Sequence, residues 1–173
     1  MTVYVALVRA VNVGGSGKLV MRDLMHLCEN VGFQHVRTYI ASGNVVFESD
    51  LTEAGVKTAL ETRLRAQAGK AVGAIIRTGA EMGAVSASNP FPDGGPARTV
   101  AIFLDAPPAP DALDAVSGRQ GEELRLGLRE IYVHYGAGMA RSKLRIPAAR
   151  EGTARNMNTV AKLACMARSL ASP

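Results

Sequence analysis

The chain has 173 residues, 47% hydrophobic and 20% charged, with 20 Lys and Arg against 15 Asp and Glu for a formal net charge of +5. A fold of this length hides roughly 70% of the surface its unfolded chain exposes, so a packed core needs no staples, and the composition excludes a disordered tail, a collagen-like rod and a low-complexity array. No apolar run approaches the ~20 residues that cross a bilayer, and Met1 to Ala10 has neither a basic start nor a signal-type cleavage site, so the expectation is a cytoplasmic protein with no membrane partner.

Val3 to Val8 is apolar at both parities, the pattern of a strand covered on both faces, and it runs through Arg9 into Asn12-Val13-Gly14-Gly15-Ser16-Gly17-Lys18. From Met21, apolar residues at Leu24, Leu27, Cys28 and Val31 predict a helix that Gly32 stops. Val36 to Ala41 and Val45 to Phe47 flank Ser42-Gly43-Asn44, which predicts a hairpin. Thr52 is placed to cap a helix carrying Val56, Leu60 and Leu64, and Val72 to Arg77 reads as another buried strand. Ala80 to Ser88 is a weak connecting helix, and residues 89–96 form a Pro- and Gly-dense loop. Thr99 to Leu104 is a strand, Pro110 to Val116 a short helix, and Glu123 to Leu128 with Glu130 to Tyr135 a second hairpin turning near Gly127 to Arg129. The last helix carries Val160, Leu163, Ala164, Ala167 and Leu170 on one side, with Asn156 or Asn158 available to cap it.

This order, βαββαβ then βαββα, implies an α+β protein of two tandem ferredoxin-like subdomains with antiparallel sheets. The expected division is residues 1–78, a connecting helix and Pro/Gly loop over 79–97, and residues 98–173. In that plan the exit of the first strand and the hairpin between strands two and three share one end of the sheet, so residues 12–18 are expected to meet Ser42 to Asn44.

Cys28 and Cys165 both read as small buried thiols in the reduced state. His26, His35 and His134 have no ligand spacing, so no metal is expected, and no cofactor is assigned. Ser42 is not in a G-x-S-x-G motif, and His134 reads as a half-exposed strand residue. Asp111 with Asp114, and Glu122 with Glu123, are expected to be solvated surface.

Chemistry concentrates in the glycine-rich segment. Glycines let bare backbone amides crowd round an anion, a following helix N-terminus adds partial positive charge, and Lys18 adds a full one. It is neither a Walker A loop, which needs Gly at Asn12 and Ser or Thr at Leu19, nor G-x-G-x-x-G. The expected ligand set is Arg9, Asn12, Gly14, Gly15, Lys18, Ser42, Gly43 and Asn44, with Arg155, Asn156, Asn158 and Thr159 at the start of the last helix and Lys143 from another glycine-flanked loop. Arg matches phosphate or carboxylate oxygens, and Asn side chains accept and donate at a base edge or ribose. The plainer alternatives are a chain reversal for the glycines and a capping cluster for Arg155 to Thr159. Residues 131–173 hold seven of the Lys and Arg residues against Glu151 alone, a balance that suits an anionic partner or a solvated basic face equally.

The strings YVALVRAVNVGGSGKLVMRDL, VRTYIASGNVVFES, SNPF, IYVHYGAGMARSKL and TARNMNTVAKL, in this order, resemble the bacterial domain-of-unknown-function family 1697 nearly end to end. That family typically has R-G-I-N-V-G-G where this chain has Ala10 and Val11, and R-N-W-N-T where it has Met157. The resemblance implies a fold and no chemistry, since the family has no established activity. The leading expectation is therefore an anionic small molecule, such as a nucleotide, with no reaction assigned. An RNA-binding module is the first alternative; against it, aromatics are 5% and strands one and five leave no open stacking face. A non-catalytic scaffold or oligomerisation protein is the second, with the oligomeric state itself undetermined by sequence.

Overall fold

The computed structural model describes residues 1–9, 20–40 and 43–172. These form an α+β protein with two antiparallel four-stranded sheets and four α-helices. The chain divides into two compact units, Met1–Gly83 with Leu163–Pro173, and Ala84–Lys162. No described helix is long and apolar enough to cross a membrane.

The first unit runs β1 (Thr2–Val8), α1 (Met21–Asn30), β2 (Gln34–Tyr39), β3 (Asn44–Ser49), α2 (Glu53–Ala68) and β4 (Ala74–Thr78), with sheet order β2-β3-β1-β4. Val5 of β1 is paired with Val46 on one side and Arg77 on the other. Side chains alternate across a strand, and Tyr4, Ala6, Val8, Val45, Phe47, Ala74 and Ile76 pack with Leu24, Leu27 and Cys28 of α1 and Val56, Leu60 and Leu64 of α2. Val5 and Leu7, of opposite parity, are buried as well, which is why β1 is apolar throughout. Phe47 stacks on Phe33 at 4.2 Å between centroids, and Tyr4 donates its hydroxyl to the Leu51 carbonyl at 2.8 Å. Thr52 caps α2 as expected, its Oγ1 accepting from the Gly55 amide at 3.2 Å, and Gly32 follows α1 with φ +94°. Burial, then the neighbouring Glu29 charge, pushes the Cys28 thiol up to about 12.

After α3 (Gly79–Ala87), the second unit contains β5 (Thr99–Phe103), β6 (Glu123–Leu126), β7 (Glu130–His134) and β8 (Thr153–Asn156), and α4 (Met157–Ala171) follows β8. The sheet order β6-β7-β5-β8 repeats that of the first sheet. One face carries Val100, Ile102, Leu104, Leu124, Ile131 and Val133, covered by Leu113, Val116, Leu144 and Ile146 from loops rather than by α-helices.

Three expectations are corrected. The helix at Pro110 to Val116 is a 3-10 turn over Ala112–Ala115, because so short a segment does not recover the cost of helix nucleation. Arg155 and Asn156 do not begin the last helix but lie on β8, where Ala101 pairs with Arg155 and Phe103 with Thr153. Cys165 is exposed, two residues from buried Leu163 and so turned away from the apolar side of α4.

The 89–96 loop is tied down from several sides. Asn89 Oδ1 accepts from the Phe91 amide at 2.9 Å, the Phe91 ring lies 5.7 Å from that of His134, and the Arg125 guanidinium sits 5.6 Å above Phe91. A Cβ on Gly94 would stand 2.8 Å from the His134 ring, so the close approach requires glycine. The Thr99 hydroxyl donates to the Gly95 carbonyl at 3.1 Å; its contact with His134 Nδ1 at 3.0 Å is then one in which the imidazole N–H donates. The SNPF string thus reads as a packing motif, and His134 is half-buried within it.

Candidate functional site

At one end of the first sheet, the Val8 amide donates to the Gly43 carbonyl at 2.9 Å and the Arg9 amide to the Gly73 carbonyl at 2.8 Å. The exit of β1, the β2–β3 turn and the approach to β4 therefore converge there, and Arg9 and Gly43 come together as the topology demands. Gly43 adopts φ +79°, which favours glycine. Asn44 is fully buried, and its amide donates back across the turn to the Tyr39 carbonyl at 3.1 Å, so its side chain holds the hairpin. Asn12, Gly14, Gly15, Lys18 and Ser42 lie outside the described residues. Helix α1 opens with Val20 at its N-cap, a residue with no side-chain acceptor for the first-turn amides.

The other expected ligands belong to the second unit. Arg155 is 9% exposed, and its guanidinium donates to Thr153 Oγ1 at 2.7 Å and the Ala154 carbonyl at 2.9 Å. Burial lowers its pKa to about 10, still charged at neutral pH. Asn156 Oδ1 accepts from the Thr159 amide at 2.9 Å, the cap of α4, while Asn158 is exposed on the first turn. Lys143 is exposed, and its carbonyl oxygen lies where a Cβ on Gly118 would be, 2.1 Å away.

Several features were not legible from sequence. Arg77 is 1% exposed on β4 and donates to the Ile76 carbonyl at 2.9 Å; as the last residue of an apolar run it looks like a strand end. A groove of about 400 Å³ lies between α1 and α2, lined by Asp23, His26, Asn30, Arg63 and Gln67 among others. Its residues fall at helical spacing, 23, 26, 27 and 30 on α1 and 63, 66 and 67 on α2, and the sequence does not show that these two faces meet. Among the described residues no three His, Cys, Asp or Glu side chains are grouped to hold a metal ion.

Glu122, expected at the solvated surface, is 5% exposed. Its carboxylate accepts from Ser142 Oγ at 2.5 Å and from the Gln120 amide. The Ser142 hydrogen bond first, then backbone amides and the Arg119 charge, hold its pKa below the ordinary 4.5. A carboxylate depressed in the folded state adds stability above its unfolded pKa and loses it as pH falls through the folded one. Urea midpoints at pH 7 and pH 3 are expected to fall further for the wild type than for Glu122→Gln, which starts lower at pH 7.

The structure is similar to that of the conserved bacterial protein SP0830 from Streptococcus pneumoniae, with TM-score 0.80 and 26% sequence identity over 96% of this chain and 98% of that one. Among curated proteins nothing matches. The family model for protein of unknown function DUF1697 matches residues 1–132, three quarters of the length and all of the first sheet, and the chain belongs to that family.

Proposed function

We propose that the first unit binds an anionic small molecule, a nucleotide or related phosphate ester, at the end of its sheet where β1 leaves through Arg9. The observation that carries this is the pair of hydrogen bonds Val8–Gly43 and Arg9–Gly73, which gathers three chain segments around one cation and a glycine turn. Gly14, Gly15 and Lys18 follow directly in the chain and supply amides and a second cation, with Asn12 and Ser42 as polar neighbours. Val20 leaves the positive end of α1 without a side-chain cap, so an anion there gains from the helix dipole. An anion so held needs none of Lys143, Arg155, Asn156, Asn158 or Thr159. We read both units as ferredoxin-like, supported by the βαββαβ order of the first and the strand order common to both sheets. The bacterial origin of the similar structure supports the same origin here.

The test is thermal melting with ATP and with inorganic pyrophosphate. A ligand at a hundredfold excess over its Kd adds about 2.7 kcal/mol of stability. Lys18→Ala is expected to abolish the shift, and Lys162→Ala, an exposed lysine of the second unit, to leave it intact. No shift with either compound, together with a dimer by sizing, would favour the scaffold instead.

A further inference from the structure

We propose that the second unit carries a strip that binds the phosphate backbone of single-stranded nucleic acid, formed by Arg141, Lys143 and Arg145, with Arg119 on the adjoining loop. Along residues 141–146 exposure alternates: Arg141, Lys143 and Arg145 are exposed, while Ser142, Leu144 and Ile146 are half-buried. Packing sets that parity. Leu144 and Ile146 lie against the apolar face of the second sheet, and Ser142 donates to buried Glu122. The other side of the segment is tied to residues 117–119, with the Ser117 amide donating to the Arg145 carbonyl at 3.0 Å and the Arg145 amide to the Ser117 carbonyl at 2.9 Å. Arg119 follows at once, its Nε donating to the Glu122 carbonyl at 2.6 Å.

Lys143 and Arg145 flank Leu144 in chain where alternate residues project from one face at intervals of about 6.6 Å, the same order as the interval between successive phosphates of an extended strand, and Arg141 precedes them in the turn that the Ser142 amide closes on the Met139 carbonyl at 3.1 Å. Arg141, Lys143 and Arg145 form no ion pair with a described carboxylate, and the one acid built into the two loops, Glu122, is turned inward. A protein partner would be met by buried aromatic or aliphatic anchors, and here Met139 is the single large apolar side chain exposed on the same loop. The absence of aromatic rings from 117–122 and 141–146 removes base stacking, so contact falls on phosphates and is indifferent to sequence. This strip is independent of the first-unit site and uses loops, not the covered sheet faces.

The experiment is fluorescence anisotropy of the full chain with a labelled 20-nucleotide single-stranded RNA between 50 and 200 mM salt. Four phosphate contacts predict a log–log salt slope of about −2.8, a loss of about 50-fold in affinity over that range. The variant Arg141→Gln/Lys143→Gln/Arg145→Gln is expected to keep the wild-type melting temperature, since all three side chains are exposed, and to flatten the slope to about −0.7. Lys18→Ala is expected to bind RNA as the wild type does, which separates this strip from the nucleotide site. Equal RNA binding by the triple variant overturns the proposal. So does competition by polyglutamate or by phosphatidylserine vesicles as effective as that by unlabelled RNA at equal charge.

Discussion

Phe47→Ala is expected to destabilise the first unit by about 4 kcal/mol, the middle of the range for truncating a buried aromatic ring. Phe47 is fully buried on central-sheet strand β3, its ring stacked on Phe33 with 4° between planes and tilted against Tyr4 at 6.1 Å. Truncation removes the transfer term of the ring and an aromatic pair worth about 1 kcal/mol, and it leaves a cavity beneath both helices. The surroundings collapse poorly, because Tyr4 is pinned through its hydroxyl to Leu51 and β1 is held by β3 and β4 on both sides. Urea denaturation read by far-ultraviolet circular dichroism checks the loss; Phe47→Leu, which keeps most of the volume, should cost less than half as much.

Gly118→Val should cost about 3 kcal/mol or more, combining backbone strain with overpacking. Gly118 has φ +68°, and any Cβ there would stand 2.1 Å from the Lys143 carbonyl oxygen and 2.8 Å from its carbon. The obstacle is backbone, which cannot swing aside as a side-chain tip can. Relief requires the Ser117–Arg145 bridge to open. Hydrogen exchange supplies the direct readout, with the Ser117 and Arg145 amides protected in the wild type and fast in the variant. Because the same bridge carries Lys143 and Arg145, RNA affinity should fall with it.

Local chemistry made much of the fold legible. The doubly apolar run Val3 to Val8 marked a central strand, Thr52 and Gly32 marked a helix start and a helix end, and Gly127 to Arg129 marked the turn between β6 and β7. Each depends on a preference expressed within a few residues. The meeting of the β1 exit with Gly43 was also legible, because strand order follows from the succession of elements. By contrast, Thr153-Ala154-Arg155-Asn156 has no strand periodicity, and it becomes β8 only because the edge of β5 offers it hydrogen-bond partners.

The sequence by itself determined an α+β chain with its helix caps, its hairpins, its glycine-rich segment beside Arg9, and an excess of cations toward the C-terminus. The tertiary structure decided which polar groups face inward. Glu122 turned inward to Ser142, Asn44 to Tyr39, and Arg155 to Thr153, while Arg141, Lys143 and Arg145 turned outward. The physical reason is that a polar or charged side chain turns inward only where donors or acceptors meet it: the partner of Glu122 lies 20 residues away, and for Asn44 and Arg155, five and two residues from theirs, the hairpin pairing and the β8 pairing set the inward face.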